Sequence, residues 1–144
     1  VRFKKVKYEE LNSKQKEQYN YQKISAVLAE YGFITIPLAN DWNGADFLAV
    51  PTEGEVLKVQ LKGRLTFDQK YLGKGLHICF RDHAEWFLYP HDEFYRELSS
   101  EVNFFNSDSW QKHGGYSVGS LSKQLRSLLE KYRVQDEEHF RKIA

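Results

Sequence analysis

The sequence predicts a mixed α/β (α+β) fold in a single domain spanning residues 1–144. Three observations predict it. A helical period runs over residues 13–31, short apolar or alternating runs follow between residues 33 and 89, and a second helical stripe begins near residue 120. The order helix, four or five strands, helices suits one layered domain around a mixed sheet. The core is expected in 13–90, and 91–144 is expected to form a C-terminal helical part.

The first helix rests on Tyr21, Ile24, Val27, Leu28 and Tyr31, which fall on one side at 3.6 residues per turn. Asn12 or Ser13 is suited to cap its start, and Gly32 to stand just past its end. Residues 33–38 read as a strand, with Pro37 marking an edge or a strand end. Residues 39–44 are a polar loop by composition. Residues 45–50 form a short apolar strand and 51–55 a turn. Val56 to Leu61 alternates, so Val56, Lys58, Gln60 and Lys62 share a face, and the two strands make a hairpin.

A glycine-bearing loop, 63–75, leads to strands at 76–80 and 85–89. Pro90 ends the second of these, and His91–Ser99 reads as a short helix. Residues 100–118 are irregular by composition, with an exposed loop at His113-Gly114-Gly115-Tyr116. Ser120 or Ser122 caps a last helix, whose stripe is Leu121, Leu125, Leu128, Leu129 and Tyr132. Residues 133–144 extend that helix or fray.

Composition narrows the class. The 144 residues are 41% hydrophobic and 28% charged, which excludes a disordered chain. An aromatic share of 15% supplies large side chains for a core. Cys79 is the single cysteine, so no internal disulfide forms, and its apolar neighbours make it a small buried residue. No apolar run approaches ~20 residues, so no membrane span is expected. The first residues lack a secretory h-region, and a reducing cytoplasm is the expected compartment. With no methionine in the chain, residue 1 need not be the natural start.

The net charge is +1, which is not the charge of a protein that coats nucleic acid. Its distribution is less even. Lys and Arg concentrate in residues 1–16, and again as Lys58, Lys62, Arg64, Lys70 and Lys74. These segments form one patch if the fold joins them, and two solvated faces if it does not.

The chemistry sits in Gly44-Ala45-Asp46 and Lys58-Val59-Gln60-Leu61-Lys62. An acid opens one strand of the hairpin, and an oxygen ligand and a lysine lie two apart on the other, hence on one face. Hydrolysis of a phosphodiester needs oxygen ligands around a hard cation and a positive group near water or phosphate. Asp46 supplies a charged ligand, Gln60 a neutral carbonyl, and the Leu61 main-chain carbonyl a further one. Lys62 is placed to orient or deprotonate the attacking water.

This arrangement resembles the PD-(D/E)XK nuclease superfamily, which includes restriction endonucleases, Holliday-junction resolvases and some homing endonucleases. There a helix precedes a β-hairpin that carries an Asp and then Glu/Asp-x-Lys. Here the matching residues are Ala45-Asp46 and Gln60-Leu61-Lys62, within roughly residues 13–90. Gln60 replaces the second acid, a variant found in some members, and Ala45 replaces the proline before the Asp. The resemblance implies a restriction-endonuclease-like domain, a catalytic hairpin, and Mg²⁺ or Mn²⁺ as cofactor. It also implies a Glu on the first helix facing the site. Glu17 is the candidate, because it lies on the Tyr21–Ile24 stripe near the helix start. Gln22 falls almost opposite and ranks below it. The other reading of Glu17 is a solvated carboxylate favoured by the helix dipole.

Arg64, Lys70 and Lys74 in the following loop suit phosphate contacts. Tyr71 or Phe67 either packs on sugar or base or anchors the loop to the core. His91-Asp92 reads as a helix start. His77, His83, His113 and His139 lack metal-ligand spacing, and there is neither a P-loop nor a nucleophile elbow. The expected function is Mg²⁺-dependent endonucleolytic hydrolysis of nucleic acid, with DNA as the partner. The alternative is a module of the same fold, weakly active or inactive, that binds nucleic acid or a protein. A homodimer or higher oligomer suits cleavage of both strands of a duplex.

Overall fold

Asn12 begins the first helix through a reciprocal cap. Its Oδ1 accepts the Gln15 N–H at 2.9 Å, and Gln15 Oε1 accepts the Asn12 N–H at 3.0 Å. The computed structural model describes residues 2–42 and 44–134. Its helices are α1 Ser13–Ala29, α2 His91–Glu101, α3 Asp108–His113 and α4 Lys123–Leu129. Its strands are β1 Phe33–Trp42, β2 Ala45–Pro51, β3 Leu57–Lys62, β4 Leu65–Asp68, β5 Leu76–Asp82, β6 Glu85–Pro90, β7 Gly115–Val118 and β8 Arg133–Val134.

Six strands form one mixed sheet in the order β1-β2-β3-β5-β6-β8, wider than the four or five expected. All neighbours are antiparallel except β3 and β5, which are parallel. A parallel neighbour needs a crossover of about a dozen residues or more. Residues 63–75 provide it, between the β2–β3 hairpin and the β5–β6 hairpin. The crossover is also more than a loop: its β4 pairs with β7 in a separate two-stranded ladder. The Tyr89 hydroxyl ties β4 to the main sheet, donating to the Thr66 carbonyl (2.6 Å) and accepting the Thr66 N–H (3.1 Å).

Helix α1 covers one face with Ile24, Val27 and Leu28 against Phe47, Val59, Cys79 and Trp86. The other face carries Ile78, Phe80, Phe87 and Tyr89 under Phe94 and Leu98 of α2 and Leu125 and Leu129 of α4. Fully burying each such side chain contributes about 1.5–3 kcal/mol, so the aromatic content forms the core.

Three stretches differ from the sequence reading. β1 continues through residues 39–42, read as polar loop, because a register shift between Pro37 and Trp42 lets it turn directly into β2. Residues 100–118 contain α3 and β7. Ser107 caps α3, and Gly114 ends it in the left-handed region at φ 76°. Of the two caps considered for α4, Ser122 accepts the Leu125 N–H. Arg133–Val134 is strand rather than helix extension, and residues 135–144 lie outside the described residues. Among the described residues no helix is long and apolar enough to cross a membrane.

Candidate active site

The turn into β2 is built for close approach. Gly44 sits at φ +86°, and a Cβ there would stand 2.9 Å from Leu76 Cδ1 and 3.5 Å from the Tyr71 ring. Only glycine meets both conditions without displacement. Asp46 follows at once. The β2–β3 ladder runs from Ala49↔Leu57 to Phe47↔Val59. Just beyond its end, Asp46 Oδ2 accepts the Leu61 main-chain N–H at 2.8 Å. That bond places the carboxylate beside the segment Gln60-Leu61-Lys62. A strand residue presents its N–H and C=O to the same neighbour, so the Leu61 carbonyl faces the Asp46 side too.

Gln60 is 9% exposed, and its Oε1 is buried without a hydrogen-bond partner. An unmatched buried carbonyl oxygen costs about 1–3 kcal/mol, and a bound cation or water would satisfy it. Lys62 is half-buried, with Nζ 5.5 Å from the centroid of the Tyr71 ring, in cation–π range.

Asp46, Gln60 and Lys62 line one cleft of about 690 Å³, walled on the other side by Lys16, Glu17 and Tyr21 of α1. Glu17 thus joins the three hairpin residues. It is exposed, however, and not on a buried stripe. The fully buried stripe is Ile24, Val27 and Leu28, with Tyr21 partly buried against Phe47, and two turns before Ile24 the same side of the helix faces open cleft. Lys16 and Lys62, one residue from each basic segment, line the same cleft.

The donors at this end of the cleft are oxygen atoms, the type a hard cation that keeps part of its water would take. Mg²⁺ is commonly held by one or two carboxylates plus substrate phosphate. Asp46, the orphaned Gln60 Oε1 and the Leu61 carbonyl supply oxygen only, with Glu17 across the cleft. Among the described residues no three His, Cys, Asp or Glu side chains gather into a group able to hold a metal. The fit therefore depends on the amide and main-chain oxygens.

The basic loop is held from below by the start of α2. His91 is buried, and its Nε2 accepts the Asp68 N–H at 3.1 Å. The ring proton therefore sits on Nδ1, 2.9 Å from Asp92 Oδ1. Asp92 Oδ2 accepts the Gly73 N–H at 2.8 Å. Burial pushes the His91 pKa down, against the pull of Asp92. Burial works upward on Asp92, but its bonds to His91 and Gly73 hold it below the usual carboxylate range. The pair starts a helix, as expected from sequence, and also clamps both ends of the segment 68–73.

Between those anchors Tyr71 is 4% exposed and meets the His91 ring edge-on at 5.6 Å, while Phe67 is fully buried. Tyr71 therefore cannot stack on a base as one reading allowed, and both aromatics anchor the loop. Lys70 stands 5.3 Å from the same Tyr71 ring and 3.8 Å from Asp68, its side chain largely exposed. Arg64 and Lys74 are exposed, and neither lines the cleft. The Lys74 carbonyl accepts the Lys58 ammonium, which fixes the loop's far end to β3.

Sequence reasoning missed Arg81, His83 and Trp86. They come from the β5–β6 turn and share a second cleft with Lys62. No motif marks them, and only the parallel β3–β5 pairing brings them near.

No family model matches the chain, and no curated protein matches it significantly.

Proposed function

We propose that the chain is a Mg²⁺-dependent endonuclease that hydrolyses phosphodiester bonds of nucleic acid, DNA being the expected substrate. The observation that carries this reading is the buried, unpartnered Gln60 Oε1 next to an Asp46 carboxylate anchored to Leu61, in a cleft with Lys62. The resemblance to the PD-(D/E)XK nucleases is carried by the same three positions.

When bound, the cation would supply Lewis-acid polarisation of a phosphate oxygen, held by Asp46, Gln60 and the Leu61 carbonyl. Asp46 stays rigid because the Leu61 N–H occupies one of its oxygens. The Lys62 ammonium orients the attacking water and steadies negative charge that develops on phosphate. Glu17, across the cleft, accepts a proton or a hydrogen bond from that water. Water oxygen forms the new bond to phosphorus, the ester P–O bond breaks, and the leaving oxygen takes up a proton.

The test is cleavage of supercoiled, linear and branched DNA in Mg²⁺ and in EDTA, with Asp46→Ala and Lys62→Ala as controls. Mg²⁺-dependent cleavage lost in both variants supports the reading, and cleavage that survives both removes the site. One observation favours the second reading, a weak or inactive module that binds nucleic acid or a protein. Three clustered acidic or histidine ligands are missing among the described residues. Under that reading Asp46→Ala and wild type bind alike and neither cleaves.

A further inference from the structure

Strands β5 and β6 meet in the two-residue turn His83-Ala84, where His83 takes φ 56°. Non-glycine residues adopt that left-handed conformation only rarely. The turn presents its carbonyl to Arg81, whose Nε donates to His83 O at 2.7 Å. The Arg81 guanidinium carbon lies 5.6 Å from the Trp86 ring centroid, and Trp86 is buried. The guanidinium is thus fixed by a stack and a hydrogen bond before any ligand arrives. Among the described residues its terminal nitrogens make no hydrogen bond or ion pair.

These residues line a second cleft of about 340 Å³ with Tyr8 and Asn20. It shares Asn20 and the Leu61-Lys62-Gly63 wall with the Asp46 cleft. Tyr8 Oη accepts from Asn20 Nδ2 at 2.9 Å, and the Tyr8 O–H donates to no described acceptor. Lys16, which lines the first cleft, lies 5.3 Å from the Tyr8 ring. One carboxylate, the exposed Glu9, stands at the rim. A fixed guanidinium fork with free N–H groups matches two phosphate oxygens.

We propose that the second cleft is a phosphate subsite for the nucleic-acid strand held in the first, with Arg81 as bidentate ligand of a phosphate flanking the scissile one. The inference rests on the nuclease reading. The strand passes over the Leu61–Gly63 wall, Lys62 meets the reacting phosphate, and Arg81 meets a neighbour. Tyr8 adds a hydroxyl donor, and Glu9 sets a limit on anion affinity.

The experiment is fluorescence anisotropy in EDTA with a short labelled duplex and its single strand, across a salt series, for wild type, Arg81→Ala, Arg81→Lys and Glu9→Gln. Arg81→Ala should weaken binding about tenfold, the scale of a charge-assisted hydrogen bond. It should also reduce the salt slope by about one. Arg81→Lys keeps the charge without the fork, so it should restore the slope and only part of the affinity. Glu9→Gln should bind more tightly than wild type. Wild-type affinity and slope in a folded Arg81→Ala would overturn the subsite and leave the nuclease reading standing. If Arg81→Ala fails to fold, wild-type binding in both other variants has the same meaning. A wild type that binds neither oligonucleotide overturns both.

Discussion

Asp46 Oδ2 and the Leu61 main-chain N–H are joined at 2.8 Å, just beyond the last pair of the β2–β3 ladder. The candidate ligand is thereby also a structural bond. Asp46→Ala should lose cleavage and about 1.5–3 kcal/mol of stability, the range for a hydrogen bond to a charged acceptor. Asp46→Asn keeps an acceptor for Leu61, so it should lose cleavage at nearly wild-type stability. Chemical denaturation beside a nuclease assay separates the two. Equal stability losses in both variants would refute the division of roles.

Gln60 offers a second test. Gln60→Glu places a carboxylate where a buried amide oxygen lacks a partner. Without metal the buried charge should lower the melting temperature at neutral pH. With Mn²⁺ the added charge should raise it by more than in wild type, because binding to the folded state alone stabilises by about 2.7 kcal/mol at a hundredfold excess over Kd. An identical Mn²⁺ response in both proteins would show that Gln60 does not face a cation.

The basic loop should act on affinity and not on metal. Lys70 is exposed within the segment clamped by His91 and Asp92, and Lys74 is exposed just beyond it. Lys70→Ala and Lys74→Ala should each weaken DNA binding and flatten its salt dependence by about one unit of slope per lost phosphate contact. Mn²⁺ titration should be unchanged in both. A solvated loop with no role in binding would leave affinity and slope at their wild-type values.

Acid should loosen the clamp. Burial holds His91 neutral in the folded state, while the unfolded chain takes up that proton near the ordinary value of about 6.5. The unfolded state binds more protons between the two values, so this stability is complete above about pH 6.5 and is lost as pH falls below it. His77, also pushed down by burial, acts in the same sense. Melts between neutral and mildly acidic pH should show the loss, and His91→Gln should reduce its slope without abolishing it. A slope unchanged by His91→Gln would assign the effect to His77.

Helix α1 was legible because its cap and apolar period lie within one continuous segment. The grouping of Asp46, Gln60 and Lys62 was legible because period two and one hairpin suffice to predict it. The β4–β7 ladder was not, since it pairs residues some fifty apart in strands of four, too short to show a period. The same holds for Arg81, which reaches the Lys62 neighbourhood only through the β3–β5 crossover. Glu17 was placed on the right side of its helix but at the wrong depth, because periodicity gives the direction of a side chain and not what lies opposite it.

The outer strand of the sheet has a consequence for self-association. β1 ends the six-strand order, and Ile34 and Ile36 stand 70% and 45% exposed on it. An open strand with an apolar flank is a template for fibril growth. Pro37 removes one donor from that template, and the irregularity after it breaks the straight run that an incoming chain would need. Replacing Pro37 with valine would leave the hairpin paired but restore the missing main-chain donor. The expected cost is a shorter lag before thioflavin-positive aggregation at unchanged melting temperature.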